Sequence, residues 1–389
     1  MAPVLMRRRP APSLPVVRVA LVCPYSLSAP GGVQGQVLGL ARALRRAGHE
    51  TVVLAPVDRS LPNAGLPAEA VVALGRTVPV PANGSVARLA VNPLAAGRVV
   101  RSLRRLRPAV VHIHEPLAPG VSWAALSRPE PKVGTFHRAG DVKGAHLLAP
   151  GARLLVSRLA ARTAVSEQAR DTAQRLLGGD YVLIGNGVEL DRFATAEPWP
   201  VDGPTVFFVG RHEPRKGLDV LLDAFGRLDP VARARLWVAG EGPETAALKQ
   251  RYGTLSTVEW LGRIDDEELA RRMVAATVVC APSRFGESFG VVLLEAMAAR
   301  ALVVASDIPG YAAVVGSHGV LVPPGDATAL SGALGTVLAA SAAREGVGSP
   351  AFVEDAAAHA RQWSMDTIAG HYLEVYRVAL HTSSSAAAP

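Results

Sequence analysis

Cysteine is nearly absent: Cys23 and Cys280 are the only two in 389 residues. They lie far apart, which excludes a disulfide framework and the CxxC spacing of a structural zinc site, and the chain reads as cytosolic. Long hydrophobic runs are also missing. None approaches the ~18 to 20 residues that span a bilayer, and the longest, such as VVRVALV at 16–22, are strand-sized. The leader MAPVLMRRRPAPSLP carries the charge of a signal peptide without an apolar stretch behind it, so residues 1–15 are expected to be a flexible, uncleaved extension. There is no GxGxxG after the first strand and no acidic residue at the distance a dinucleotide site needs, which argues against a nicotinamide cofactor. No repeat of 20–50 residues is visible either.

What is there is size, charge asymmetry and a regular pattern. A chain of 389 residues exceeds what one core normally serves, so two domains are expected. Residues 1–200 hold 25 Lys and Arg against 12 Asp and Glu, a balance of +13, whereas residues 201–389 hold 16 against 21, a balance of −5. The basic half should face an acidic partner, unless its arginines serve only solubility. Nucleic acid is not that partner, because the arginines lack interleaved aromatics that stack on bases.

Apolar strands alternate with amphipathic helices throughout. VRVALV, AVVHIH, KVGTFH, ARTAVS and YVLIGN precede a break, and TVFFVGR, ARLWVAG, TVEWLG, VVCAPS and ALVVASD follow it. Such alternation predicts parallel sheets covered on both faces. The break, near 187–204, replaces periodicity with acidic residues and prolines. The expected organisation is a leader (1–15), a first Rossmann-like domain (16–190), a linker (191–204), a second Rossmann-like domain (205–362), a closing helix (363–380) and a disordered tail (381–389).

Doubly wound domains bind ligands beyond the carboxyl ends of their strands. Gly31 and Gly32 follow the first strand and open a helix, a place where backbone N–H groups can meet a phosphate, or where the chain merely turns. In GRHEPRKG, 210–217, Arg211, Arg215 and Lys216 form a cluster that repels itself unless a multiply charged anion such as a diphosphate enters, or Glu213 neutralises it. FGESFGVVLLEA, 285–296, carries Glu287 and Glu295, with Ser288 and Phe289 expected to begin a helix. On spacing alone Glu287 reads as an acidic cap worth ~0.3 to 1 kcal/mol. His137 closes KVGTFH, either as a hydrogen-bonding or proton-shuttling group or as a structural histidine. NPLAAGRVVRSLRRLRP, 92–108, spaces Arg98, Arg101, Arg104 and Arg105 helically, with Leu94, Val99, Leu103 and Leu106 for the opposite side. It reads as a membrane-surface helix or a solvated face.

Taken in order, PGGVQ, TFHRAG, VGRHEPRKG, AGEGP and ESFGVVLLEA resemble the retaining glycosyltransferases of family 4 over residues 16–380. VCPYSLSAPGGVQ, PVPANGSVARL, HIHEP and GRHEPRKG look most like the actinobacterial phosphatidylinositol mannosyltransferases. The resemblance implies a GT-B fold, two Rossmann-like doubly wound domains with a cleft between them. It implies transfer of mannose from GDP-mannose, with retention, to the inositol ring of phosphatidylinositol at the cytoplasmic membrane face, the first step of phosphatidylinositol mannoside synthesis. A nucleotide sugar is then the donor substrate, an anionic phospholipid surface the partner through helix 93–107, and no metal or other cofactor is required.

The same resemblance implies the site. Gly32, Arg211, Arg215 and Lys216 would meet the donor diphosphate, and Ile264, Asp265 and Asp266 the base. Glu287, Ser288, Phe289, Gly290 and Val291 would surround the sugar, and Glu295 would bond the ribose. His137, Glu287, Arg211 and Lys216 would serve catalysis. Tyr25, Gln34, Ala82, Asn83 and Arg88 would meet the acceptor head group. Arg138 and Ala139 follow His137 where small hydroxyl residues are usual, Ala82 replaces an aromatic, Leu269 stands at a base-side lysine position, and Arg300 replaces a glycine in the turn after MAA. The alternatives are another donor, such as UDP-N-acetylglucosamine, with another lipid, polyol phosphate or glycan acceptor, and a non-catalytic homologue that only binds lipid or nucleotide.

Overall fold

A computed structural model describes residues 15–28, 31–59, 64–82, 85–140, 145–229, 233–385. Of the expectations above, Asn83 and residues 1–14 and 386–389 lie outside the described residues. The chain divides into two units, residues 1–187 with 365–389, and residues 188–364.

The first unit is built on seven parallel strands: β1 (Arg18–Val22), β2 (Glu50–Ala55), β3 (Val71–Ala73), β6 (Val110–His114), β7 (Lys132–Phe136), β8 (Ala161–Ala164) and β9 (Val182–Leu183). Their order is β3-β2-β1-β6-β7-β8-β9. A separate antiparallel pair, β4 (Val78–Ala82) and β5 (Ser85–Leu89), sets Ala82 opposite Ser85 and Pro79 opposite Arg88.

Period two decides what each strand face meets. Val111 and Ile113 of β6 pack with Val22, Leu54, Val99, Leu103 and Val121 in one apolar cluster. The alternate residues, His112 and His114, are equally buried but polar. His112 meets the long helix α14 (Met365–Ser385), which supplies Tyr372 and Tyr376. The closing helix thus belongs with the first unit and runs to Ser385.

Helix α1 (Gly32–Arg46) follows β1, and α2 (Pro93–Leu106) follows the β4–β5 pair. Asn92 caps α2 by accepting from the Ala95 N–H at 2.8 Å, with Pro93 in the first turn, where its missing N–H costs nothing. Val99 and Leu103 are buried, and Arg98, Arg101, Arg104 and Arg105 face solvent. Leu94 departs from expectation: it is 76% exposed, because it sits in the first turn before the buried stripe begins. Helices α3 (Val121–Leu126), α4 (Ala145–Val156) and α5 (Glu167–Leu177) complete this unit. No described helix is long and apolar enough to cross a membrane.

The second unit has six parallel strands: β10 (Thr205–Val209), β11 (Arg235–Ala239), β12 (Val258–Gly262), β13 (Val278–Ala281), β14 (Leu302–Ser306) and β15 (Val320–Val322). Their order is β12-β11-β10-β13-β14-β15. Both faces are covered. Phe207 joins a cluster with α9 (Asp266–Ala275), α10 (Val291–Ala298) and α13 (Pro350–Arg361). Val206 and Phe208, one residue either side, join the opposite cluster with α7 (Leu218–Phe225) and α12 (Ala327–Ala343). Residues 191–204 pack within this unit: α6 (Asp191–Ala194) lies there, and the Trp199 N–H donates to the Arg271 carbonyl at 3.1 Å. The remaining helices are α8 (Thr245–Arg251) and α11 (Pro309–Val315).

Helix α10 ends in a Schellman turn: the Arg300 N–H donates to the Met297 carbonyl at 3.1 Å and the Ala301 N–H to the Ala296 carbonyl at 2.9 Å. Arg300 therefore sits at φ +64°, the left-handed region that favours glycine. Its exposed ion pair with Glu354, at 2.7 Å, offsets little of that cost. Arg300→Gly is expected to stabilise this unit by about 1 kcal/mol, raising its melting transition by ~2 to 4 °C in calorimetry. An unchanged or lower midpoint would mean that the ion pair outweighs the backbone strain.

Candidate functional site

The described residues among those expected at the site fall into two groups, one in each unit, most of them in the loops and helices that follow the parallel strands.

In the second unit, the loop after β10 carries the cationic cluster. Glu213 is 1% exposed and is held by Arg211 at 3.0 Å and by Arg215 Nε at 3.0 Å. Arg215 reaches onward through Nη1 to Glu287 Oε1 at 2.6 Å, and Lys216 Nζ meets the same oxygen at 2.7 Å. Three cations thus alternate with two carboxylates, leaving one excess positive charge in the free protein. Glu287 is not a helix cap: its carboxylate neutralises the cluster. Gly217 closes this turn at φ +66°, and a Cβ there would lie 2.1 Å from the Pro282 carbonyl oxygen, so only glycine lets the two loops touch.

Helix α10 begins at Val291 rather than at Ser288. Gly290 precedes it at φ +97°, where a Cβ would strike the Tyr311 ring at 2.7 Å. Ser288 and Phe289 therefore belong to the loop, and Phe289 is buried against Trp363. The Tyr311 hydroxyl and Ser283 Oγ lie 2.9 Å apart, and burial, with Glu287 second, drives that phenol well above its ordinary range. Glu295 projects from the second turn of α10 and is ion-paired to Arg192 of α6. Asp265 caps α9, its Oδ1 accepting from the Glu268 N–H at 2.8 Å. Asp266 is exposed, and Ile264 packs at the edge of the apolar cluster.

In the first unit, Tyr25 forms a lone antiparallel bridge with Leu89, and the neighbouring Ser26 N–H donates to the Arg88 carbonyl at 3.4 Å. Gln34 Nε2 donates to the Ser26 carbonyl at 3.3 Å. Tyr25, Gln34 and Arg88 are thereby gathered beyond β1. The Arg88 side chain is half exposed and 3.8 Å from Asp58. Gly32 opens α1 with nothing within 4 Å of where a Cβ would stand, so its helix end is accessible.

His137 follows β7. Its backbone N–H donates to Glu115 Oε1 at 2.8 Å, and its Nε2 lies 2.9 Å from His114 Nδ1. Burial pushes the His137 imidazole down to about 3 and His114 well below its usual range, so both are neutral at neutral pH. His114 Nε2 is buried without a partner. An orphaned N–H is the costlier alternative, so His114 carries its proton on Nδ1 and donates to His137. His137 then holds its own proton on Nδ1, as a hydrogen-bond donor and not as an acid.

Sequence reasoning missed Glu115, which lies within HIHEP. It follows β6 at φ +52°, rare for a residue with a side chain, and burial raises its pKa. Arg192, inside the expected linker, is a second such residue: it belongs to α6 and pairs with Glu295. The stretch of α2 bearing Arg101 and Arg104 borders a depression of about 410 Å³, lined also by Gly97, Ala124 and Ser127.

Two family models match, Glycosyl transferases group 1 over residues 203–340 and Glycosyltransferase Family 4 over residues 30–192. The phosphatidyl-myo-inositol mannosyltransferase of Mycobacterium leprae is 40% identical over 377 residues, covering 95% of this chain and 98% of the relative. The D-inositol 3-phosphate glycosyltransferase of Xylanimonas cellulosilytica is 32% identical over 391 residues, covering 89% and 91%. The crystal structure of a glycosyltransferase from Rickettsia africae, 19% identical, shares the fold with a TM-score of 0.72 over 94% of this chain and 99% of its own. With both sheets bearing these loops at their carboxyl ends, the chain belongs to the group 1 and family 4 glycosyltransferases, with the two parallel-sheet units of the GT-B fold.

Proposed function

We propose that the protein transfers mannose from GDP-mannose to the inositol ring of phosphatidylinositol at the cytoplasmic face of the membrane, with retention, as the first step of phosphatidylinositol mannoside synthesis. The observation that carries this reading is the 40% identity, over 95% of the chain, to a phosphatidyl-myo-inositol mannosyltransferase. The cationic loop supports it: a diphosphate entering beside Arg211, Arg215 and Lys216 takes the place that Glu287 holds in the free protein.

In this reading Glu287, released from the cations, accepts from mannose hydroxyls, while the N–H groups of Ser288 to Val291 face the sugar and Glu295 meets the ribose. Ile264, Asp265 and Asp266 lie on the base side, and Gly32 at the diphosphate. The charge that develops on the leaving diphosphate is met by Arg211, Arg215 and Lys216 rather than by a metal. Retention follows if the acceptor hydroxyl attacks from the face the diphosphate leaves, with the departing phosphate oxygen taking its proton. His137 donates through Nδ1 near the reacting centre. Tyr25, Gln34, Ala82, Asn83 and Arg88 bind the inositol phosphate, and the exposed arginines of α2 meet the anionic lipid surface.

A second reading has specific support in the D-inositol 3-phosphate glycosyltransferase that is 32% identical. It keeps the donor loops and exchanges the lipid for a soluble inositol phosphate. A donor-by-acceptor panel read by mass spectrometry separates the two. Mannosylated lipid from GDP-mannose and phosphatidylinositol vesicles is expected. Product only from UDP-N-acetylglucosamine and D-inositol 3-phosphate would replace the first reading by the second.

A further inference from the structure

Glu295 sits in an apolar helix, VVLLEAMA, whose neighbours are almost entirely hydrocarbon. A carboxylate there tends to take up a proton. Burial does push Glu295 upward, Asp266 and Glu189 push the same way, and Arg192 is the group that draws it back. The Arg192 guanidinium donates through Nη2 to Glu295 Oε1, although 103 residues separate the two. Arg192 is itself placed by its neighbours: it lies 4.6 Å over the Phe193 ring and 4.0 Å from Asp266. Its Nε–H is buried without a hydrogen-bond partner. Among the described residues none accepts from it.

We propose that Arg192 is the positioning residue of ribose recognition: it holds Glu295 as an oriented carboxylate, so that the pair, rather than Glu295 alone, distinguishes a ribonucleotide from its deoxy counterpart. The inference rests on the reading of Glu295 as the ribose-bonding group. A vicinal diol both donates and accepts, and the pair offers both complements: Glu295 Oε2, not engaged by the Arg192 contact, can accept a hydroxyl proton, and the guanidinium can donate to a hydroxyl oxygen.

The test is calorimetric titration of the full-length protein with GDP, 2′-deoxy-GDP, 3′-deoxy-GDP and inorganic pyrophosphate. The wild type is expected to favour GDP over at least one deoxy form by roughly tenfold, the cost of a hydroxyl missing from a site built for it. Arg192→Ala and Arg192→Gln are expected to reduce that preference to about twofold, Arg192→Lys to restore part of it, and pyrophosphate affinity to stay unchanged in all three. A purely structural ion pair would lower the melting temperature and leave the preference intact, which would overturn the proposal. Should Arg192→Ala fail to fold, Arg192→Gln, which keeps most of the volume, decides the matter. If the wild type and Glu295→Gln both lack any preference, the ribose reading itself falls, and this inference with it.

Discussion

Glu287→Ala is expected to lower turnover on the order of 10²- to 10³-fold while leaving nucleotide affinity equal or improved. The two effects separate because Glu287 has two employments. In the free protein it neutralises Arg215 and Lys216 at 2.6 and 2.7 Å, so its removal leaves those cations more available to a diphosphate. In the donor complex it is the group proposed to bond the sugar, and a contact that strengthens in the transition state shows in kcat rather than in KM. Arg215 keeps its bond to buried Glu213, so the loop stays assembled and the melting temperature should move by only a few degrees. Steady-state kinetics with a GDP titration reads both quantities. Loss of GDP binding, or of the fold, with normal turnover of what remains bound, would return Glu287 to a scaffolding role.

Tyr376→Ala should destabilise the first unit by ~3 to 5 kcal/mol, the usual cost of deleting a fully buried aromatic. At this size that corresponds to a fall of roughly 10 °C in the melting transition. Tyr376 has no exposed surface, and its hydroxyl lies 2.7 Å from His112 Nδ1. His112 Nε2 continues to Thr135 at 2.6 Å, and Thr135 to Thr163 at 2.6 Å and to Tyr372 at 3.2 Å. Removing the ring therefore opens a cavity and also strands a polar atom inside. Tyr376→Phe isolates the second effect and should cost about 1 to 3 kcal/mol. Differential scanning calorimetry, with the second unit's transition as an internal reference, measures both. A full-sized loss in the Phe variant would shift the weight from packing to the hydrogen-bond chain.

The fold was legible because its signal is repeated: apolar runs separated by helical periods recur along both halves and need no special residue to be read. The ion-paired loops around Arg215 and Glu287 were legible as candidates for a related reason, since clustered cations, glycines and paired glutamates stand out at strand ends. What was hidden depended on long-range pairing. The partner of Glu295 lies 103 residues earlier, in a stretch whose prolines and acidic residues suggested a linker. The β4–β5 pair stays hidden in the sequence although Asn83-Gly84 is a strong hairpin dipeptide, because Pro79 and Pro81 argue against a strand. A helix starting at Ser288 is what the sequence suggests, whereas the left-handed Gly290 sets the start at Val291. The neutrality of His137 comes from burial beside His114, one residue just past β7 and one at the end of β6, which no local pattern links.

The helix α14 carries a consequence for the order in which the chain assembles. It is the last described element in the sequence, yet it covers the face of the first sheet that carries His112 and Thr135. Residues 188–364 are contiguous, so during synthesis the second unit has all of its own chain before α14 leaves the ribosome. The first unit, begun earlier, must wait with His112, Thr135 and Thr163 facing water. Those are side chains that water can solvate, and they interrupt a face that also carries Leu21, Val53 and Val133, whose unbroken apolar surface would invite aggregation during the same interval. A polar seam beneath the final helix thus makes the unit's late completion tolerable.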